Sequence, residues 1–119
     1  MALKAIIGKM DGASVVYLSG DILFGEESSY LRALVKNLLN ESHEIVFDLG
    51  SVTRIDSGGL GTLVGLYASA RKLGGDIKLA SLHSHANEVL QITKLVTVFE
   101  VFDRAEDAAA SFRRTAAAG

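Results

Sequence analysis

No cysteine occurs among the 119 residues. Disulfides, thiolate metal sites and a cysteine nucleophile are therefore excluded. Proline is absent as well, so no rigid linker divides the chain. No apolar run reaches the roughly 18 residues of a membrane-spanning helix, and the N-terminus carries no long apolar stretch of signal-peptide type. Membrane insertion is not expected, and a cytoplasmic location is. Excess charge is missing too: 12 basic against 14 acidic residues leave a net charge of −2. Nothing in that balance points to direct nucleic-acid binding or to an anionic membrane surface. Internal repeats are absent, and the alanine-rich C-terminal end is the one biased stretch.

What is present is an ordinary globular composition, 49% hydrophobic and 22% charged. A chain of this length forms one domain and buries roughly two thirds of its unfolded surface. We expect that domain over residues 1–113 and a flexible tail over 114–119.

Leu3 to Gly8 reads as a strand, Asp11-Gly12 as a hairpin turn, and Ser14 to Leu18 as the returning strand, ended by Gly20-Asp21. Residues 21–28 form a connection holding three consecutive apolar residues, Ile22, Leu23 and Phe24. Two of these are expected to tuck under the first helix. The third would remain a contact patch, compatible with a monomer or a dimer. Leu31, Leu34, Val35, Leu38 and Leu39 give that helix a buried stripe, while Arg32, Lys36 and Asn37 face water. A strand at 44–49, a helix at 58–73 closed by Gly74-Gly75 and a strand at 76–80 make a βαβ unit with parallel strands. A helix at 84–94 and a short strand over Thr97–Phe102 follow. Asp103 to Glu106 resembles a capping box, with Asp103 as N-cap of a last helix running to about Arg113. The order ββαβαβαβα predicts a mixed α/β sheet: an N-terminal antiparallel strand pair, then parallel crossovers, with about four helices packed on it.

The most informative stretch is Arg54-Ile55-Asp56-Ser57-Gly58-Gly59-Leu60-Gly61. It lies between the apolar strand at 44–49 and the helix striped by Leu60, Leu63, Val64, Tyr67 and Ala68. This is the carboxyl end of a central strand, where sites gather in open α/β sheets. Ser57 suits the N-cap position. The glycines behind it do not suit a helix, each costing about 1 kcal/mol against alanine in a helix interior. Two adjacent glycines in a first turn point to close access to the backbone by a tight strand–helix junction, a phosphate or another protein. A glycine-eased cap with no further role is the simpler reading, and the two stand level on this stretch alone.

Several chemistries can be weighed. Asp56-Ser57-Gly58-Gly59 repeats a tetrapeptide found around the nucleophile of trypsin-like proteases, but residue 55 is Ile where Gly is required, and the chain is too short for two barrels. A nucleophile elbow lacks its first glycine. Nothing places His43, His83 or His85 beside Ser57 as a base. His83 and His85 could share a metal, yet no third ligand is evident, and a solvent-exposed loop pair is the simpler reading. Asp21, Asp48 and Asp56 could form an acidic cluster for Mg²⁺, or Asp48 could point outward or cap a neighbouring loop. Gly58-Gly59-x-Gly61 is too short for a P-loop and lacks the following Lys-Ser/Thr. No cofactor is implied. A hydroxyl on an accessible turn ringed by small residues is instead good kinase-substrate geometry. Phosphorylation would add about −1.5 to −2 charge, which a helix N-terminus tolerates.

Ile55-Asp56-Ser57-Gly58-Gly59-Leu60-Gly61 resembles the signature of the STAS domain family of bacterial anti-sigma factor antagonists. The resemblance extends to Leu18-Ser19-Gly20-Asp21, to Ile45-Val46-Phe47-Asp48-Leu49 and to Gly74-Gly75. It implies a STAS-like fold and a non-enzymatic binding role. It implies that Ser57 is the phosphorylation site. The unphosphorylated form would bind an anti-sigma factor that is also a serine kinase, releasing the sigma factor. Phosphorylation with ATP would break the complex, and a PP2C-type phosphatase would reset it. The partner-binding residues implied are Asp21, Asp56, Ser57, Gly58, Gly59, Leu60 and Gly61. Gly58 departs from the pattern, since many members carry a second serine there. The alternative within the family is a non-switching subunit of a stress-signalling assembly or of a lipid transporter. A small enzyme or nucleotide-binding protein is the competing class.

Overall fold

The Asp11-Gly12 turn is built as the sequence predicts. In the computed structural model, which describes residues 2–82 and 84–118, Asp11 and Gly12 take φ of 50° and 84°. Two such residues give the turn whose twist suits an antiparallel ribbon. It joins β1 (Lys4–Met10) to β2 (Ala13–Ile22). Then come α1 (Glu26–Leu39), β3 (Glu44–Ile55), α2 (Ser57–Lys72), β4 (Asp76–Ala80), α3 (Ser84–Ile92), β5 (Val101–Phe102) and α4 (Ala105–Ala118). The sheet order is β1-β2-β3-β4-β5. The β1–β2 pair is antiparallel and the other three pairs are parallel, which is the expected mixed sheet.

Strand alternation divides the core into two layers. Val16, Leu18, Ile45, Phe47, Leu49, Ile77 and Leu79 face one way, onto Leu31 and Val35 of α1, Leu63 and Leu66 of α2, and Ala86 and Leu90 of α3. Val15, Val46 and Ala80 face the other way, onto Ala105, Ala108, Ala109 and Phe112 of α4. Each fully buried large side chain contributes about 1.5–3 kcal/mol. Three helices therefore cover one face of the sheet and α4 covers the other. The small side chains of α4 let it lie close to the strands. Ser14 breaks the pattern: it is fully buried, and among the described residues its hydroxyl has no hydrogen-bond partner. A buried orphan hydroxyl costs about 1–3 kcal/mol. Ser14→Ala should therefore raise stability by about 1 kcal/mol, read as a higher urea midpoint at unchanged slope. A lower midpoint would mean that the hydroxyl is satisfied.

Several boundaries differ from expectation, among them the end of α3, at Ile92 instead of 94. β2 does not end at Gly20-Asp21 but continues to Ile22. Gly20 has φ of 102°, and its Cβ would lie 2.2 Å from the Ala2 carbonyl oxygen. The glycine permits a bulge beside the register shift with β3. β3 likewise runs on to Ile55, where it pairs with Ile22. The apolar stretch 97–102 is mostly not a strand: Leu95–Thr97 is a 3₁₀ turn, and only Val101 and Phe102 pair with β4. The stretch is apolar because Phe99 plugs the core, edge-to-face against Tyr67 at 5.0 Å. α4 begins at Ala105, and the Arg104 carbonyl accepts its first helical bond, from the Ala108 N–H. Arg104 thus holds the cap position expected of Asp103. Alanine being the best helix former, α4 also passes the expected end near Arg113 and covers 114–118, placed above in a tail. Gly119 lies outside the described residues.

Candidate functional site

The paired ends of β2 and β3 fix the start of α2. The Asp56 N–H donates to the Ile22 carbonyl at 3.3 Å, and the Asp56 carbonyl accepts from the Leu60 N–H at 2.9 Å. Asp56 is extended, with φ −97° and ψ 179°. Its carboxylate accepts the Gly59 N–H at 2.7 Å and the Phe24 N–H at 3.0 and 3.1 Å. The N-cap is therefore Asp56, and the assignment of that role to Ser57 is corrected. Both residue types cap well. The extension of β3 to Ile55 decides between them, because it leaves Asp56 as the one residue between strand and helix.

Ser57 becomes the first helical residue, exposed. Among the described residues its hydroxyl makes no hydrogen bond. The two glycines behind it are steric requirements. A Cβ on Gly59 would stand 2.0 Å from the Ile22 carbonyl oxygen, and one on Gly58 would stand 2.4 Å from the Phe24 Cβ. Gly61 is different: it is exposed, with no atom beyond the backbone of α2 itself within 4 Å of such a Cβ. Leu60 is half-buried against the core. Of the three reasons offered for the glycine pair, the tight junction accounts for Gly58 and Gly59.

Asp21 is placed otherwise than a contact residue would be, only 2% exposed. One carboxylate oxygen accepts from the exposed Arg54 guanidinium at 3.0 Å. Asp21 therefore bears on the surface through Arg54, which the sequence did not single out. Phe24 stands 79% exposed beside the turn. Ile22 is buried and Leu23 half-buried, so two of the three loop apolar residues do tuck in. Arg32 of α1 donates to the Thr62 hydroxyl at 3.0 Å, and that hydroxyl donates to the Gly58 carbonyl at 3.1 Å. This chain ties α1 to the first turn of α2.

The three aspartates do not converge. Asp48 accepts from the Gly50 N–H at 3.0 Å and the Ser81 hydroxyl at 2.8 Å, the loop-capping alternative. Asp21 and Asp56 have the partners just named. Among the described residues no three His, Asp or Glu side chains form a metal-holding group. His85 approaches the Ile55 carbonyl at 3.4 Å, and His83 lies outside the described residues. No helix among them is long and apolar enough to cross a membrane.

The Gly59 N–H, followed by the Phe24 N–H, holds the Asp56 carboxyl below the usual carboxylate range. A depressed folded-state pKa stabilises the fold above the unfolded value, and that contribution is lost as pH falls through the folded value. Asp56→Ala should therefore lower the melting temperature at pH 7 by about 3–6 °C, as a lost cap does in a domain of this size. The gap to wild type should close at an acid pH below the lowered folded-state value. Melts at both pH values check this, and a gap unchanged in acid would show that the ionised carboxylate is not its source.

A family model described as the STAS domain matches residues 5–108. A Bordetella bronchiseptica protein named as an anti-sigma factor antagonist, BtrV, is 27% identical over 111 residues, covering 93% of this chain and 96% of that protein. The crystal structure of an anti-sigma factor antagonist from Mycobacterium paratuberculosis superposes with a TM-score of 0.80 at 24% identity, over 94% of this chain and 95% of that one. The Bacillus cell fate determinant SpoIIAA in its phosphorylated form gives 0.69 at 17% identity, over 93% and 99%. Both solved structures share the fold of this chain.

Proposed function

This chain belongs to the STAS domain family, and on that premise we propose that it is an anti-sigma factor antagonist switched at Ser57. In this reading the unmodified chain binds an anti-sigma factor that is also a serine kinase, and the sigma factor is released. The Ser57 oxygen then attacks the γ-phosphorus of ATP held by the kinase. ADP leaves, the hydroxyl proton is lost, and the complex separates. A PP2C-type phosphatase hydrolyses the phosphoserine and restores the binding form. The chain works in the cytoplasm and is itself substrate and ligand, not catalyst.

The observation that carries this reading is the division of labour at the turn. Asp56 does the capping, so the Ser57 hydroxyl is exposed and unengaged at the N-terminus of α2. That hydroxyl can be modified without dismantling the junction. The same observation weighs against a subunit in which Ser57 serves only as a cap. The naming of the Bordetella relative as an anti-sigma factor antagonist supports the assignment. The proposed contact surface is Asp56, Ser57, Gly58, Leu60 and Gly61, with Gly59 and Asp21 acting from beneath. The test is capture of the anti-sigma factor of the same cell on unmodified chain and on Ser57→Asp, side by side. Retention by the first and loss from the second is the expected pattern.

A further inference from the structure

The packing of α1 against α2 leaves an open groove of about 410 Å³ running away from the Ser57 turn. Phe24 stands at its head, Gly58, Gly61 and Gly65 lie along its α2 wall, and Arg32 and Lys36 of α1 line it. None of the lining residues is acidic, although acids outnumber bases in the chain. Among the described residues neither Arg32 nor Lys36 pairs with a carboxylate. Arg32 is held in place by the Thr62 hydroxyl, so its charge is fixed in direction. Phe24 is 79% exposed, yet its backbone N–H is bound by Asp56 and its Cβ lies over Gly58. A large apolar side chain presented on a fixed backbone has the character of an interface anchor.

We propose that this groove receives an acidic amphipathic helix of the anti-sigma partner, with the partner's apolar ridge on Phe24 and its carboxylates on Arg32 and Lys36. The proposal rests on the switch reading given above and deepens it. The absence of acid from the lining fixes the sign of the partner's charge. No atom beyond the backbone of α2 itself lies within 4 Å of where a Cβ on Gly61 or Gly65 would stand, so a helix backbone can approach α2 closely. Ser57, Gly61 and Gly65 follow one another at four-residue steps and share one face of α2. A phosphate on Ser57 would therefore stand at the head of the same groove. It would cancel the field of the two cations and repel the incoming carboxylates, which gives the switch an electrostatic range beyond the turn itself.

The test titrates the purified anti-sigma factor of the same cell into wild type, Lys36→Glu, Phe24→Ala and Ser57→Asp by calorimetry. Both side chains replaced first are exposed, so thermal melts should show these variants folded like wild type. Lys36→Glu should bind at least about tenfold more weakly at about 50 mM salt, and the deficit should shrink at about 500 mM. Phe24→Ala should lose at least about tenfold at both salts. Wild-type affinity in both variants, with Ser57→Asp still defective, would overturn the groove while leaving the switch intact. Tighter binding by Lys36→Glu would also overturn it, since the partner surface would then be basic. No binding by wild type would end the switch reading, and the groove proposal with it.

Discussion

Lys78→Ala should destabilise the fold by about 2–4 kcal/mol, whereas Lys78→Met should stay within about 1 kcal/mol of wild type. Lys78 lies in β4 on the face covered by α4, and it is only 2% exposed. Its ammonium donates to the Ser111 hydroxyl at 2.6 Å and meets the exposed Glu100 carboxylate at 3.3 Å. It also lies 4.2 Å from the centre of the Phe112 ring and 5.7 Å from that of Phe102. Desolvating the ammonium costs several kcal/mol. A charge-assisted hydrogen bond returns about 1.5–3 kcal/mol and a desolvated cation–π contact about 2. These terms nearly cancel, so the net worth of the residue lies in the space its methylenes fill. Methionine fills that space without a charge to desolvate, and alanine leaves it empty. The Ser111 hydroxyl also donates to the Ala108 carbonyl, so it keeps a partner in either variant. Urea denaturation of both variants decides the matter. A Met variant as damaged as the Ala variant would show that the polar contacts outweigh the packing.

Ser57→Asp should weaken binding of the anti-sigma factor about a hundredfold, and Ser57→Ala should leave it near wild type. The fold should tolerate both. The hydroxyl caps nothing, so its removal is an ordinary surface change within about 0.5 kcal/mol. A carboxylate in the first turn of α2 is favoured by the helix dipole and opposed by Asp56, two modest terms of opposite sign. At an interface the balance changes. A charge covered by a partner without a counter-charge costs a few kcal/mol, and 2.7 kcal/mol is roughly a hundredfold in affinity. Calorimetric titration beside thermal melts separates binding from folding. Wild-type affinity in Ser57→Asp would sink the switch reading.

Much of this architecture is legible in the chain. Asp11-Gly12 requires a hairpin turn. The stripe Leu31, Leu34, Val35, Leu38 and Leu39 can only be a helix packed on one side, and four of its five members are buried, with Leu34 half-buried. The illegible parts depend on distant partners. Asp56 and Ser57 are both good caps, and the choice belongs to the Ile22–Ile55 pairing across the sheet. Thr97 to Phe102 has strand composition, but Phe99 is drawn into the core by Tyr67. Lys78 sits at an alternate position in a short strand, where a solvated side chain would be ordinary. It is buried because α4 returns over that face, which no local pattern announces. At the candidate site the exposed serine and the glycine pair were readable. The groove of Phe24, Arg32 and Lys36 was not, because it exists only once α1 lies against α2.

The bond from the Phe24 N–H to the Asp56 carboxylate spans 32 positions of sequence. It locks the β2–α1 loop and the start of α2 into one piece, with Gly58 and Gly59 leaving no slack beneath. A mark written on Ser57 would meet a turn already braced from both sides by Asp56. Its message would be carried by composition alone, legible as soon as it is made and gone as soon as it is removed. The tempo of such a signal would belong to the enzymes that write and erase it, and the chain itself would add no delay and keep no memory.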